Sequence, residues 1–118
     1  MICREPGCEL LVSKIAAAST IAIGAPTVAE AQLVALAKRG PDGPAAVERF
    51  LSEIQATVVP FGQHHLPVFL SAVLHYGKGR HPAALNMGDC FSYATAIASG
   101  MPLLFIGEDF RQTDIRIA

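Results

Sequence analysis

At 118 residues the chain is long enough for one domain, in which roughly two-thirds of the unfolded surface becomes buried. Hydrophobic residues make up 52% and charged residues 16%, against the roughly 25% usual for soluble domains. The net charge of −1 argues against nucleic-acid binding by bulk positive charge, and the shortage of surface charge predicts an apolar face covered by a partner.

Taken in chain order, the segments alternate between helical and strand-like patterns, as expected of an α/β domain with a parallel sheet. "EPGCELLVSKIAAAS" reads as a short helix after a Pro-Gly turn, and "TIAIGAP" as a buried strand stopped by Pro26. Thr27 then stands where an N-cap belongs, and "TVAEAQLVALAKR" gives a helix closed by Gly40. "PDGPAAVERFLSEIQA" is the clearest helix, with Val47, Phe50, Leu51 and Ile54 on one stripe. "TVVPFG" is a short strand, and "QHHLPVFLSAVLHYG" a helix that accommodates Pro67 in its first turn. A basic loop, "YGKGRH", leads to the helix "NMGDCFSYATAIASG", the strand "PLLFIG" and a tail, "TDIRIA", expected as a final edge strand. The oddity is the start: a parallel sheet of this kind normally opens on a strand, and this sequence opens on a helix.

Three cysteines, Cys3, Cys8 and Cys90, without C-x-x-C spacing predict reduced thiols in a cytoplasmic setting rather than a zinc site. Without an apolar run near the roughly 18 residues of a membrane span, no membrane segment is expected, and the start lacks a signal-peptide core.

Several acids fall where side chains project from the ends of elements. Glu30 is expected in the first turn after "TIAIGAP", Asp89 opens the helix after the basic loop, and Glu108 and Asp109 follow "LLFIG". In an open parallel sheet these places border the ligand crevice, so the acids converge. Convergent carboxylates without histidine suit Mg²⁺ or Mn²⁺ and metal-assisted phosphodiester cleavage. Taken singly, Glu30 and Asp89 read first as capping acids favoured by the helix dipole, about 0.3–1 kcal/mol apiece, and Glu108 and Asp109 equally well as a solvated turn. Both readings stand on spacing alone. His64 and His65, being adjacent, point to different faces and read as a solvated helix start; Cys90 reads as a small core residue. Tyr93, four residues after Asp89, shares its face and either orients that carboxylate or packs.

The run "GRHPAALNMGDCFSYATAIASGMPLLFIGEDFRQTDI" resembles the C-terminal half of VapC toxins, the PIN-domain ribonucleases of type II toxin–antitoxin modules. "APTVAEAQLV" resembles that family's second acidic motif and "REPGCE" the segment after its first strand, so the resemblance covers essentially the whole chain, residues 1–118, as one PIN-like domain. It implies a three-layer α/β/α sandwich around a parallel sheet and Mg²⁺- or Mn²⁺-dependent cleavage of RNA. It implies Glu30, Asp89 and Asp109 as catalytic acids and metal ligands, Asp109 rather than Glu108 because it precedes Phe110, with Thr113 and Asp114 in support. Lys78 and Arg80 are the RNA-binding candidates. A homodimer and a cognate antitoxin are the implied protein partners. One departure stands out: the family's first strand, central in its sheet and carrying a catalytic aspartate, has no counterpart in "MICREPGCE". A start at an internal methionine and a decayed gene both explain this, and a chain truncated in that way is expected to cut RNA weakly or not at all.

Overall fold

The computed structural model describes residues 8–105 and 108–118; the expectations for "REPG" and for Ile106 and Gly107 of "PLLFIG" lie outside the described residues. Helix α1 (Cys8–Ala17) leads to a short strand β1 (Ala22–Gly24), which passes without a loop into α2 (Ala25–Arg39). Helix α3 (Asp42–Glu53) folds back on α2 and delivers the chain to β2 (Thr57–Val59), parallel to β1 in the register Ala22↔Thr57, Ile23↔Val58, Gly24↔Val59. A 3₁₀ turn, Gln63–His65, then enters α4 (Leu66–Tyr76), and after an ordered loop comes α5 (Met87–Ser99).

The α/β expectation holds, with two corrections to its elements. First, α2 does not start at Thr27. Its N-cap is Gly24, and Pro26 falls in the first turn, where its missing N–H costs nothing, so the helix begins two residues earlier. The proline that was expected to stop the strand instead opens the helix. Second, "PLLFIG" and "TDIRIA" are not extended strands among the described residues. They meet in one parallel bridge, Leu103↔Ile117, in which Leu103 N–H donates to Arg116 O at 2.8 Å and Ala118 N–H to Leu103 O at 3.0 Å. Pro102, lacking an N–H, cannot extend that ladder on its own side.

The core sits on α5. Leu85, Cys90, Tyr93, Ala94 and Ala96 are buried, and Ala72 of α4, Phe110 and Ile115 close around them. A cluster of Phe61, Phe69 and Phe91 pins the α4–α5 seam, with Phe69 and Phe91 stacked at 4.6 Å and Phe61 edge-on to Phe91 at 5.0 Å. His65, expected in solvent, is 1% exposed. Its ring stacks on Phe61, and its Nδ1 accepts the Gly62 N–H at 2.9 Å, so it caps the 3₁₀ turn from inside. Helix α5 also crosses close over β1. A Cβ on Gly24 would stand 2.7 Å from the Thr95 hydroxyl, which is why the strand ends on glycine.

Candidate active site

Two helix beginnings, those of α2 and α5, form the site. Because α2 starts at Ala25, Glu30 lies beyond its first turn, where the helix dipole has little hold. The capping explanation that served Glu30 from spacing therefore loses its footing. Its exposed side chain instead lies across to α5, where the carboxylate fills the space a Cβ would occupy on Gly88. Only glycine admits that approach, and it puts the Glu30 carboxylate against the residue preceding Asp89.

Asp89 does cap its helix. Its N–H donates to Asn86 Oδ1 at 2.8 Å, and its Oδ2 accepts the Asn86 N–H at 3.0 Å, a reciprocal capping box. The cap uses one carboxylate oxygen and fixes the rotamer, so a structural role and a ligand role for Asp89 do not compete. Between the two helix starts lies a cleft of about 260 Å³, lined by Thr27, Glu30, Leu33, Met87, Gly88 and Phe91 among others. Beside it the Thr27 and Ser92 hydroxyls, 3.1 Å apart, tie α2 to α5.

The C-terminal segment supplies the remaining candidates. Asp109 is exposed at the head of a 3₁₀ turn, Asp109–Gln112, anchored by buried Phe110. Neighbouring Glu108 pairs with Arg111 at 3.3 Å. Thr113 serves the backbone, its hydroxyl donating to Phe110 O at 2.7 Å and accepting the Ile115 N–H at 3.2 Å. Asp114 Oδ1 accepts the Tyr93 hydroxyl at 2.7 Å, so Tyr93 orients Asp114 rather than Asp89. Burial first, then the hydrogen bond to Asp114 and its charge, push the Tyr93 hydroxyl well above its ordinary range. Burial and the same carboxylate also raise Tyr76. Cys90 is likewise raised, by burial and then by the Asp89 charge, and is an inert core thiol as expected.

Lys78 and Arg80 are exposed on a loop tied down at both ends, with Lys78 N–H donating to Leu85 O and Leu85 N–H to Tyr76 O. Among the described residues, no group of three His, Cys, Asp or Glu side chains is arranged to hold a metal ion, so Asp109 does not close a three-acid cluster with Glu30 and Asp89. Glu30, against Gly88, and Asp89, in the first turn of α5, are the two acids at this junction of helices. Sequence reasoning missed the role of Gly88. The available signal was its place directly before Asp89, where backbone must be approached closely.

Comparison with known proteins identifies the family. A family model described as PIN domain matches residues 1–116. The chain belongs to the PIN-domain family. VapC ribonuclease Mb2004c of Mycobacterium bovis is 46% identical over 112 residues, covering 95% of this PIN domain and 81% of the relative. Ribonuclease VapC of Mycolicibacterium smegmatis is 38% identical over 111 residues, covering 94% and 86%. VapC ribonuclease R02377 of Rhizobium meliloti is 46% identical over 70 residues, 58% of this PIN domain and 49% of its own length. The VapC-type resemblance read from the motifs is thus shown. No helix among the described residues is long and apolar enough to cross a membrane.

Proposed function

We propose that this PIN domain is the toxin of a type II toxin–antitoxin pair and cleaves RNA phosphodiester bonds with a bound Mg²⁺ or Mn²⁺. The observation that carries the reading is the approach of Glu30 to Gly88, which brings an acid of one helix against the residue preceding Asp89 of another, at a cleft between them. The names of the relatives, VapC ribonucleases, support it. When bound, the ion supplies an activated water and neutralises charge on the leaving oxygen. Glu30 and Asp89 would hold it, while Asp109, on the C-terminal turn that Thr113 and Asp114 brace, would act from outside that pair. Lys78 and Arg80 take RNA phosphates. A cognate antitoxin and a second copy cover exposed apolar surface, and the protein works in the cytoplasm.

A second reading, an antitoxin-binding module without chemistry, draws on the exposed apolar side chains of Leu33, Val34 and Leu36 along α2. Incubating the purified chain with single-stranded RNA and Mn²⁺ separates the two. Cleavage should fall at least about tenfold, or ~1.4 kcal/mol, in Asp89→Asn. Gly88→Ala should lower it similarly, because the new methyl displaces the flexible Glu30 carboxylate while leaving the Asn86 cap intact. Cleavage undiminished in both variants would overturn the site. No cleavage alongside tight antitoxin binding would establish the second reading.

A further inference from the structure

The two most exposed large apolar side chains with a place at the candidate site are Leu33 and Met87, each 67% exposed, and both line the cleft that Glu30 also borders. Exposed apolar groups scattered singly need no explanation; two facing each other across a cleft beside candidate catalytic acids do. Resting on the ribonuclease reading, we infer that this cleft binds a single unstacked nucleobase of the RNA, next to the phosphate being cut.

The chemistry favours a base over other parts of the substrate. Phosphate is repelled by Glu30 and Asp89 except where an ion intervenes, so the part of a nucleotide able to enter an apolar cleft beside them is the neutral heterocycle. Phe91 gives the cleft an aromatic wall braced by its neighbours, stacked on Phe69 at 4.6 Å and met edge-on by Phe61 at 5.0 Å. A ring already packed on two others costs less ordering entropy when a base packs on it, and single-stranded RNA is read in this way, by splayed bases on aromatic and apolar surfaces. Met87 adds a polarisable, adaptable side chain at the mouth, and the Thr27 hydroxyl, shared with Ser92, offers a polar contact to the base edge. The volume, about 260 Å³, is below that of drug-sized pockets and suits one ring system.

The test is an abasic scan. A short fluorescent single-stranded RNA is made intact and with the base removed at each position in turn, and both binding and cleavage are followed with the wild-type chain, Leu33→Ala and Met87→Ala. Both substituted side chains are largely solvent-exposed, so melting curves should not move. One abasic position should weaken wild-type binding by about 5- to 150-fold, the range for loss of one base stack. At that position, and no other, the two variants should show little further loss. A flat scan, or variant losses that are equal on intact and abasic RNA, would overturn the inference. Variants that lose affinity for the antitoxin while the RNA scan is unchanged would give the cleft to the protein partner and overturn it as well. Binding that follows the expected pattern without cleavage would retain the base site and sink the nuclease reading instead.

Discussion

The two halves of this molecule are packed very differently. From Phe61 onward the chain builds a core in which Leu85, Cys90, Tyr93, Ala94, Phe110 and Ile115 are all buried. Before it, α2 has no buried residue, β2 is largely exposed, and Leu10, Leu33, Val34 and Leu36 face outward. Both halves are comparably apolar in sequence; what separates them is whether an apolar face meets another. The C-terminal half wraps α4, α5 and the last turn around one another, whereas the N-terminal half leans on α5 through Gly24 and Thr27. The candidate site lies on that border, with one acid from each side, so its geometry depends on the weaker half staying docked to the stronger.

Truncating one large apolar side chain in each half gives the largest contrast. Leu85→Ala, at 2% exposure, should cost about 2–5 kcal/mol in urea unfolding, against no more than about 0.5 kcal/mol for Leu36→Ala in α2. Equal losses would mean the halves are one cooperative core. A smaller effect belongs to the border itself. Asn86→Ala removes the α5 cap and should cost about 1 kcal/mol by the same measurement, with cleavage falling more than stability because Asp89 loses its fixed rotamer. The smallest concerns alkaline pH. The Tyr93 hydroxyl is raised above its ordinary 10.0, so its contribution is fully present below about pH 10 and is lost as pH rises beyond it. Tyr93→Phe should flatten the fall in melting temperature above pH 10, leaving a residual slope from Tyr76.

Helices were legible in the sequence because their apolar periodicity and glycine stops act locally: the Val47, Phe50, Leu51 and Ile54 stripe and the Gly40 closure both recur in the structure. Strands were overread. "PLLFIG" has the composition of a buried strand, but a strand exists only when a neighbour accepts its hydrogen bonds, and Leu103 finds a single bridge. Glu30 and Asp89 were legible as candidates, and the capping role that spacing put first for Asp89 is present in the structure. Invisible from spacing were the relations between distant segments: Glu30 against Gly88, Tyr93 with Asp114, and His65 turned inward. Each depends on two elements meeting, which no local pattern encodes.

Cys90 has a use that follows from its position. It is a free thiol, 1% exposed, at the seam of α4 and α5, and its raised pKa keeps it protonated at neutral pH. A thiol reagent can reach it only when that seam opens, so its labelling rate is a built-in clock for sub-global opening of the protein. Read by mass spectrometry on the Cys90 peptide, with and without RNA or antitoxin, that clock would report which ligand holds α5 shut, without any probe having to be introduced.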